Sequence, residues 1–256
     1  MRPIADSSLT EPQPTGRVMR HLWCLLAAFA LALPSMAGAT TITFDDQGFT
    51  HGQVITSVPG VQIAANNFQR SFHHAVTFDS EATGTAAPGL EANPAPRWSG
   101  GNLAGEQLDM MLILQGNDIG CGDGVCDSPE PENVIPAGTF SFMFDVPIVS
   151  FGLDLIDIDG LPSDTGYLRF YDTSGSHVML IFETLLAGYE LGNNTANRVA
   201  PIDLEQLGLG PVDHVVVKLY GSSAIDNLTY TAVPEPNTAL FVGLGLALLA
   251  GARRLG

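Results

Sequence analysis

From residue 41 onward, apolar and polar side chains alternate with a period of two, as in strands with one buried face. Thr41-Ile42-Thr43-Phe44 opens the pattern. Residues 139–144 set Phe140, Phe142 and Phe144 on one face. Phe151, Leu153 and Leu155 repeat the arrangement, with Asp154 on the other face. Residues 167–171, 177–182, 198–204, 214–220 and 225–230 read as further strands. Turn residues separate them at Pro59-Gly60, Ser99-Gly100-Gly101, Asp159-Gly160, Ser174-Gly175, residues 191–194 and Gly221-Ser222-Ser223. Helical periodicity is weak. Residues 102–114 are its best candidate, and their 108–114 half reads equally well as a buried strand.

Short strands at this spacing predict an all-β body, a jelly-roll-like antiparallel β-sandwich over residues 40–231. A body of about 190 residues is long enough to bury a proper core. Residues 79–106 are rich in Ala, Gly and Pro, and residues 116–138 in Gly, Pro and acids. Both are expected to be long loops, where binding residues concentrate.

The two ends depart from the alternation. Met19-Arg20-His21 is a short basic start, residues 22–33 are apolar, and Ala37-Gly38-Ala39 supplies small residues for cleavage before Thr40. Residues 19–39 therefore read as a secretory signal peptide, with cleavage after Ala37 as the alternative. Residues 1–18 are polar and proline-containing, which fits an extension ahead of a start at Met19. At the other end, Val233-Pro234-Glu235-Pro236 precedes an apolar run, residues 239–252, and then Arg253-Arg254-Leu255-Gly256. The run is apolar all round, short for a stable membrane helix of about 20 residues, and weakened by Gly243, Gly245 and Gly251. The two terminal arginines place the C-terminus on the cytoplasmic side and the body outside.

This ending, residues 232–256, resembles the PEP-CTERM sorting tag of Gram-negative bacteria. The resemblance implies an exported protein held briefly in the inner membrane and then cut near Pro234, Glu235 and Pro236 by an exosortase. Arg253 and Arg254 complete the tag. The family's association with exopolysaccharide-producing bacteria implies a structural or adhesive role at the cell surface or in the extracellular matrix.

Charge narrows the partners. Residues 40–233 hold five basic against 24 acidic residues, a net charge of −19. Nucleic-acid binding is excluded, because it needs basic charge to displace counterions. Anionic lipid surfaces are disfavoured for the same reason. Divalent cations would relieve such self-repulsion, whereas solvation alone is the simplest account of it. Once the signal peptide is removed, the remaining cysteines are Cys121 and Cys126, in a turn-rich stretch of an exported chain. A disulfide between them is expected. Zinc would need further ligands, and the spacing is not the C-x-x-C of thioredoxin-like enzymes.

The first and last strands resemble those of many PEP-CTERM proteins and of jelly-roll carbohydrate-binding modules. That resemblance implies a structural calcium shared by Asp45, Asp46 and Asp226, although aspartates are also default turn residues. Two other acidic groups, residues 117–132 and 154–164, lack the EF-hand spacing and read as solvated loops. His73-His74 points to opposite faces of a strand, and His177 and His214 read as single core or surface residues. No G-x-S-x-G, H-E-x-x-H or phosphate loop occurs, which places a secreted hydrolase last among the readings. A carbohydrate-binding module acting on exopolysaccharide is the alternative to the structural role. Trp98, Tyr167, Tyr171 and Tyr189 are its candidate contacts, with Trp98 in the loop Pro94-Ala95-Pro96-Arg97-Trp98.

Overall fold

The fold is organised around one long strand, residues 138–156, in which the two phenylalanine-bearing repeats join end to end. The computed structural model describes residues 38–80, 101–103, 108–158, 166–188, 192 and 195–234. In chain order the strands are β1 (Ala39–Ile42), β2 (Ser57–Val58), β3 (Val61–Asn67), β4 (Ala75–Asp79) and β5 (Met110–Leu114). They continue with β6 (Gly138–Ile156), β7 (Tyr167–Asp172), β8 (His177–Ile181), β9 (Ala196–Asp203), β10 (Val212–Leu219) and β11 (Ala224–Ala232). Every pairing between the described strands is antiparallel. The longest path through the sheet runs β4-β5-β11-β6-β10-β7-β8, with β1 on β11, β2 on β3, and both β3 and β9 on β6.

β6 carries different neighbours along its two halves. Residues 138–144 pair with β3 on one edge and β10 on the other. Residues 150–156 pair with β9 and β11. The burial phase changes between the halves: Phe140, Phe142, Phe144 and Ile148 are buried, then Phe151, Leu153 and Leu155. A period of two cannot move from even to odd positions without an irregularity. The β10 and β11 pairings both slip near Ile148, next to Pro147, which has no amide to give a ladder. Both halves of β6 thereby feed the same core cluster, in which Phe151 meets Phe144 and Phe170 edge-on.

The structure decides one open reading and shortens one strand. Of the 102–114 stretch, Met110–Leu114 is a strand, β5, with its Met111–Leu114 side chains fully buried, and Gly101–Leu103 forms one 3-10 turn. Residues 177–182 form β8 only as far as Ile181, after which Phe182–Leu185 makes one helical turn. The Ser174-Gly175 turn is drawn in by Asp172, whose carboxylate accepts from the Ser174 amide and hydroxyl, the Ser176 amide and the Gly210 amide.

Among the described residues no helix is long and apolar enough to cross a membrane. The signal peptide and the tail, apart from Pro234, lie outside the described residues.

Candidate functional site

The first and last strands are neighbours: β1 pairs with β11 from Ala39↔Thr231 to Ile42↔Leu228. That pairing carries the turn after Phe44 to the side of Asp226. In the same sheet, Asp154 of β6 lies opposite Asp226 on one edge and Arg198 of β9 on the other. Asp45 and Asp154 therefore both act electrostatically on Asp226, and Arg198 is the cation that enters the group. Arg198 bonds Asp154 at 3.0 Å and also reaches the Asn227 carbonyl and the Thr229 hydroxyl.

The carboxylates have partial partners. Asp45 accepts the Met110 amide at 2.6 Å, and Asp226 accepts the Asn227 amide at 2.6 Å. The Asn227 side-chain amide bridges Asp154 (2.7 Å) and Asp226 (3.1 Å). Asn227 holds φ +49, a left-handed conformation that asparagine tolerates. Burial pushes the Asp226 carboxyl up to about 7, helped by the charges of Asp45 and Asp154 and only partly offset by backbone amides. Asp45 is also raised, chiefly by burial, against the bond from Met110. Asp46 accepts the Thr43 hydroxyl at 2.9 Å, and its charge adds to the rise at Asp45. Of the three residues expected to share a cation, Asp46 acts on Asp45 and Asp45 on Asp226, with Asp154 joining on the Asp226 side, but no three of these carboxylates bring their oxygens within 4.8 Å of one another. Carboxylate oxygens are the donor chemistry a hard cation takes, though the Asn227 amide would have to yield its place between Asp154 and Asp226.

Cys121 and Cys126 are joined in a disulfide. Their loop is docked on the body: Val54 donates to the Gly124 carbonyl and Cys126 to the Gly52 carbonyl. Gly52, at φ +82, is required there, since a Cβ would collide with the Cys126 carbonyl. Both sulfurs join a second buried cluster with Val76, Phe78, Met111 and Ile113. Among the described residues, only His74, Asp118 and Cys121 bring three candidate metal-ligand atoms within 4.8 Å. The disulfide removes the Cys121 thiolate, which leaves His74 and Asp118 with ligand atoms 3.7 Å apart. Reducing the disulfide should lower stability by about 2 kcal/mol, the loop-closure entropy of so short a ring. At roughly 2–4 °C per kcal/mol for a body of this size, the melting temperature should drop by about 4–8 °C. An unchanged melt with free thiols confirmed by alkylation would show that the ring adds nothing.

The acids of residues 117–132 are not uniformly solvated. Glu132 is 1 % exposed and paired with Arg70 at 2.8 Å. His73 accepts the Asn67 amide, so His73 and His74 serve different partners.

A second surface emerges from the strand register. On the solvent face of β8-β7-β10-β6-β3, one row reads His177, Tyr171, His214, Met143 and Gln62. The next reads Met179, Arg169, Val216, Ser141 and Ala64, and the third Ile181, Tyr167, Lys218, Thr139 and Asn66. None of these positions is acidic. His177 and His214, read singly from sequence, lie on either side of Tyr171, with ring centroids 5.4 and 5.0 Å away.

Trp98 lies outside the described residues, as do Tyr189, Glu235, Pro236, Arg253 and Arg254; Pro234 is exposed. Sequence reading missed Arg198 and Asn227 at the acidic group and Arg169 on the outer face. Arg169 had one legible signal, its place between Tyr167 and Tyr171 on the polar side of an alternating strand. The chain matches no known family model and no curated protein.

Proposed function

We propose that this is an exported protein of the PEP-CTERM type, an exosortase substrate with a jelly-roll-like sandwich body. Its role is structural or adhesive, at the cell surface or in the extracellular polysaccharide matrix. The observation that carries the reading is the tripartite C-terminus: Pro234-Glu235-Pro236, the apolar run and Arg253-Arg254. The end of the body supports it. β11 stops at Ala232, and Val233 gives its amide to the Pro147 carbonyl. The Pro-Glu-Pro thus begins immediately after the body's final strand bond, where cutting leaves the ladder whole. Calcium is proposed at Asp45, Asp46 and Asp226, a role the excess of acids over bases favours.

Glu235→Ala, or deletion of Arg253-Arg254, should leave the full-length form in the inner membrane while the wild type appears as a shorter product outside. Fractionation and immunoblotting of cells carrying an exosortase reads this directly. Equal release of shortened protein from wild type and variants would refute the sorting role.

A further inference from the structure

We propose that the outer face of β8-β7-β10-β6-β3 binds an acidic polysaccharide, with Arg169 as the anchor for a sugar carboxylate. The first observation is charge. Residues 40–233 carry 24 acids, yet none occupies the three rows of this face, which hold Arg169, Lys218, His177 and His214. Asp213, beside His214 in sequence, is the acid that acts on that imidazole. The repulsion of the distant acids is screened beyond about 8 Å at physiological salt, so an approaching anion feels the local face.

The second observation is the state of Arg169. Arg70 and Arg198 each pair with a carboxylate, whereas Arg169 has no carboxylate partner among the described residues. A guanidinium offers five donors. One goes to the Tyr171 hydroxyl at 3.3 Å and one to the thioether of Met179, a weak acceptor. Nε is buried without an acceptor, as is Nε2 of the neighbouring His214. The guanidinium also rests 4.7 Å from the centroid of the Tyr167 ring, which holds its plane in place. An oriented fork with unspent donors is the group that takes a carboxylate in two parallel bonds.

The third observation is shape. In the middle row Val216, Ser141 and Ala64 are small, and they lie between His214 and Met143 on one side and Lys218 on the other. The row leading from Arg169 therefore carries shorter side chains than His214, Met143 and Lys218 beside it. From β8 to β3 it crosses four strand spacings, roughly 19 Å. Exposed Met143 and Met179 place apolar surface among the donors. Sugars combine apolar C–H faces with many acceptors, and a uronate chain adds the charge this face lacks. Lys218 contributes a second cation beside Tyr167.

The inference takes from the proposed export only where such a polymer is met, and its test does not use the sorting tail. Full-length protein in detergent should bind polyuronate oligomers, with affinity falling as salt is raised, and should not bind neutral dextran oligomers of equal length. Arg169→Gln should weaken polyuronate binding by roughly tenfold or more, as loss of a bidentate charge-assisted contact implies. Arg169→Lys should recover part of it, and Lys218→Gln should weaken it less. Melting temperatures confirm that the variants are folded. Equal affinity for dextran, for a DNA oligonucleotide of equal charge, or for polyuronate in Arg169→Gln would overturn the proposal. So would self-association of the chain abolished by the same variant. Polyuronate binding by a chain whose tail is not processed would refute the sorting role and leave this site standing, and the reverse result would do the opposite.

Discussion

Replacing Asp226 by asparagine should stabilise the protein at pH 8, in the absence of divalent cations, by up to about 4 kcal/mol, roughly three pH units at 1.36 kcal/mol each. Asp226 is 5 % exposed, and burial together with Asp45 and Asp154 raises its carboxyl from an ordinary 3.8 to about 7. Below pH 3.8 the group is neutral in the folded and the unfolded chain alike, and its full contribution is present. Between 3.8 and about 7 only the unfolded chain ionises, so folded stability falls as pH rises. Above 7 the native protein carries a buried charge beside two others. Asparagine keeps the shape without the charge, and gives up only the 3.1 Å bond from the Asn227 side chain. The difference between variant and wild type should thus grow from near zero at pH 3.5 to its maximum above pH 7, read by urea unfolding at matched pH. Millimolar calcium should raise wild-type stability at pH 8 and leave Asp226→Asn unmoved. A wild-type melt identical in EDTA and in calcium would remove the cation and leave the pH profile standing. A flat difference between pH 4 and 8 would show that Asp226 titrates normally.

The alternation that marks a half-buried strand made β7, β9 and β10 legible, because each has one face more open to solvent, whereas β11 alternates in sequence although both of its faces are covered. β3 was not legible: after Val61 and Ile63 it reads Ala-Ala-Asn-Asn, residues with little strand preference, held in place by pairing with β6 along its whole length. β5 is apolar at every position because both of its faces are covered, and period alone cannot tell such a run from a buried helix. The slip in β6 near Ile148 looked like the end of one strand and the start of another. At the acidic group, Asp45 and Asp226 could be placed together by the adjacency of first and last strands. Asp154 and Arg198 could not, because cross-strand neighbours are set by register, which no local signal in β6 or β9 encodes. The same limit hid the outer face, whose three rows draw on five strands.

Arg70→Ala should cost about 3 kcal/mol at pH 7, the scale of removing one partner from a buried ion pair. Glu132 has no exposed side-chain surface, whereas Arg70 remains 40 % exposed and covers the carboxylate from outside. The carboxylate also accepts the Asn67 amide group at 3.0 Å and the Val134 backbone amide at 3.0 Å. Asn67 in turn bonds the Gln115 carbonyl, and Glu132 gives its own amide to the Leu114 carbonyl. One buried charge therefore ties the ends of β3 and β5 to residues 130–134. Burial pushes the Glu132 carboxyl up, but the bonds from Arg70, Asn67 and Val134, with the Arg70 charge, outweigh it and leave the group below its ordinary 4.5. Its contribution is accordingly present above pH 4.5 and lost as pH falls through the lower folded value. The penalty of Arg70→Ala should shrink over that acid range, since a protonated Glu132 no longer needs the cation. Adding Glu132→Gln to Arg70→Ala should restore more than half of the loss at pH 7, because the uncompensated charge is then gone. A penalty below about 1 kcal/mol at pH 7, the ordinary value of an exposed pair, would show that water replaces Arg70 and that the carboxylate is held by amides alone.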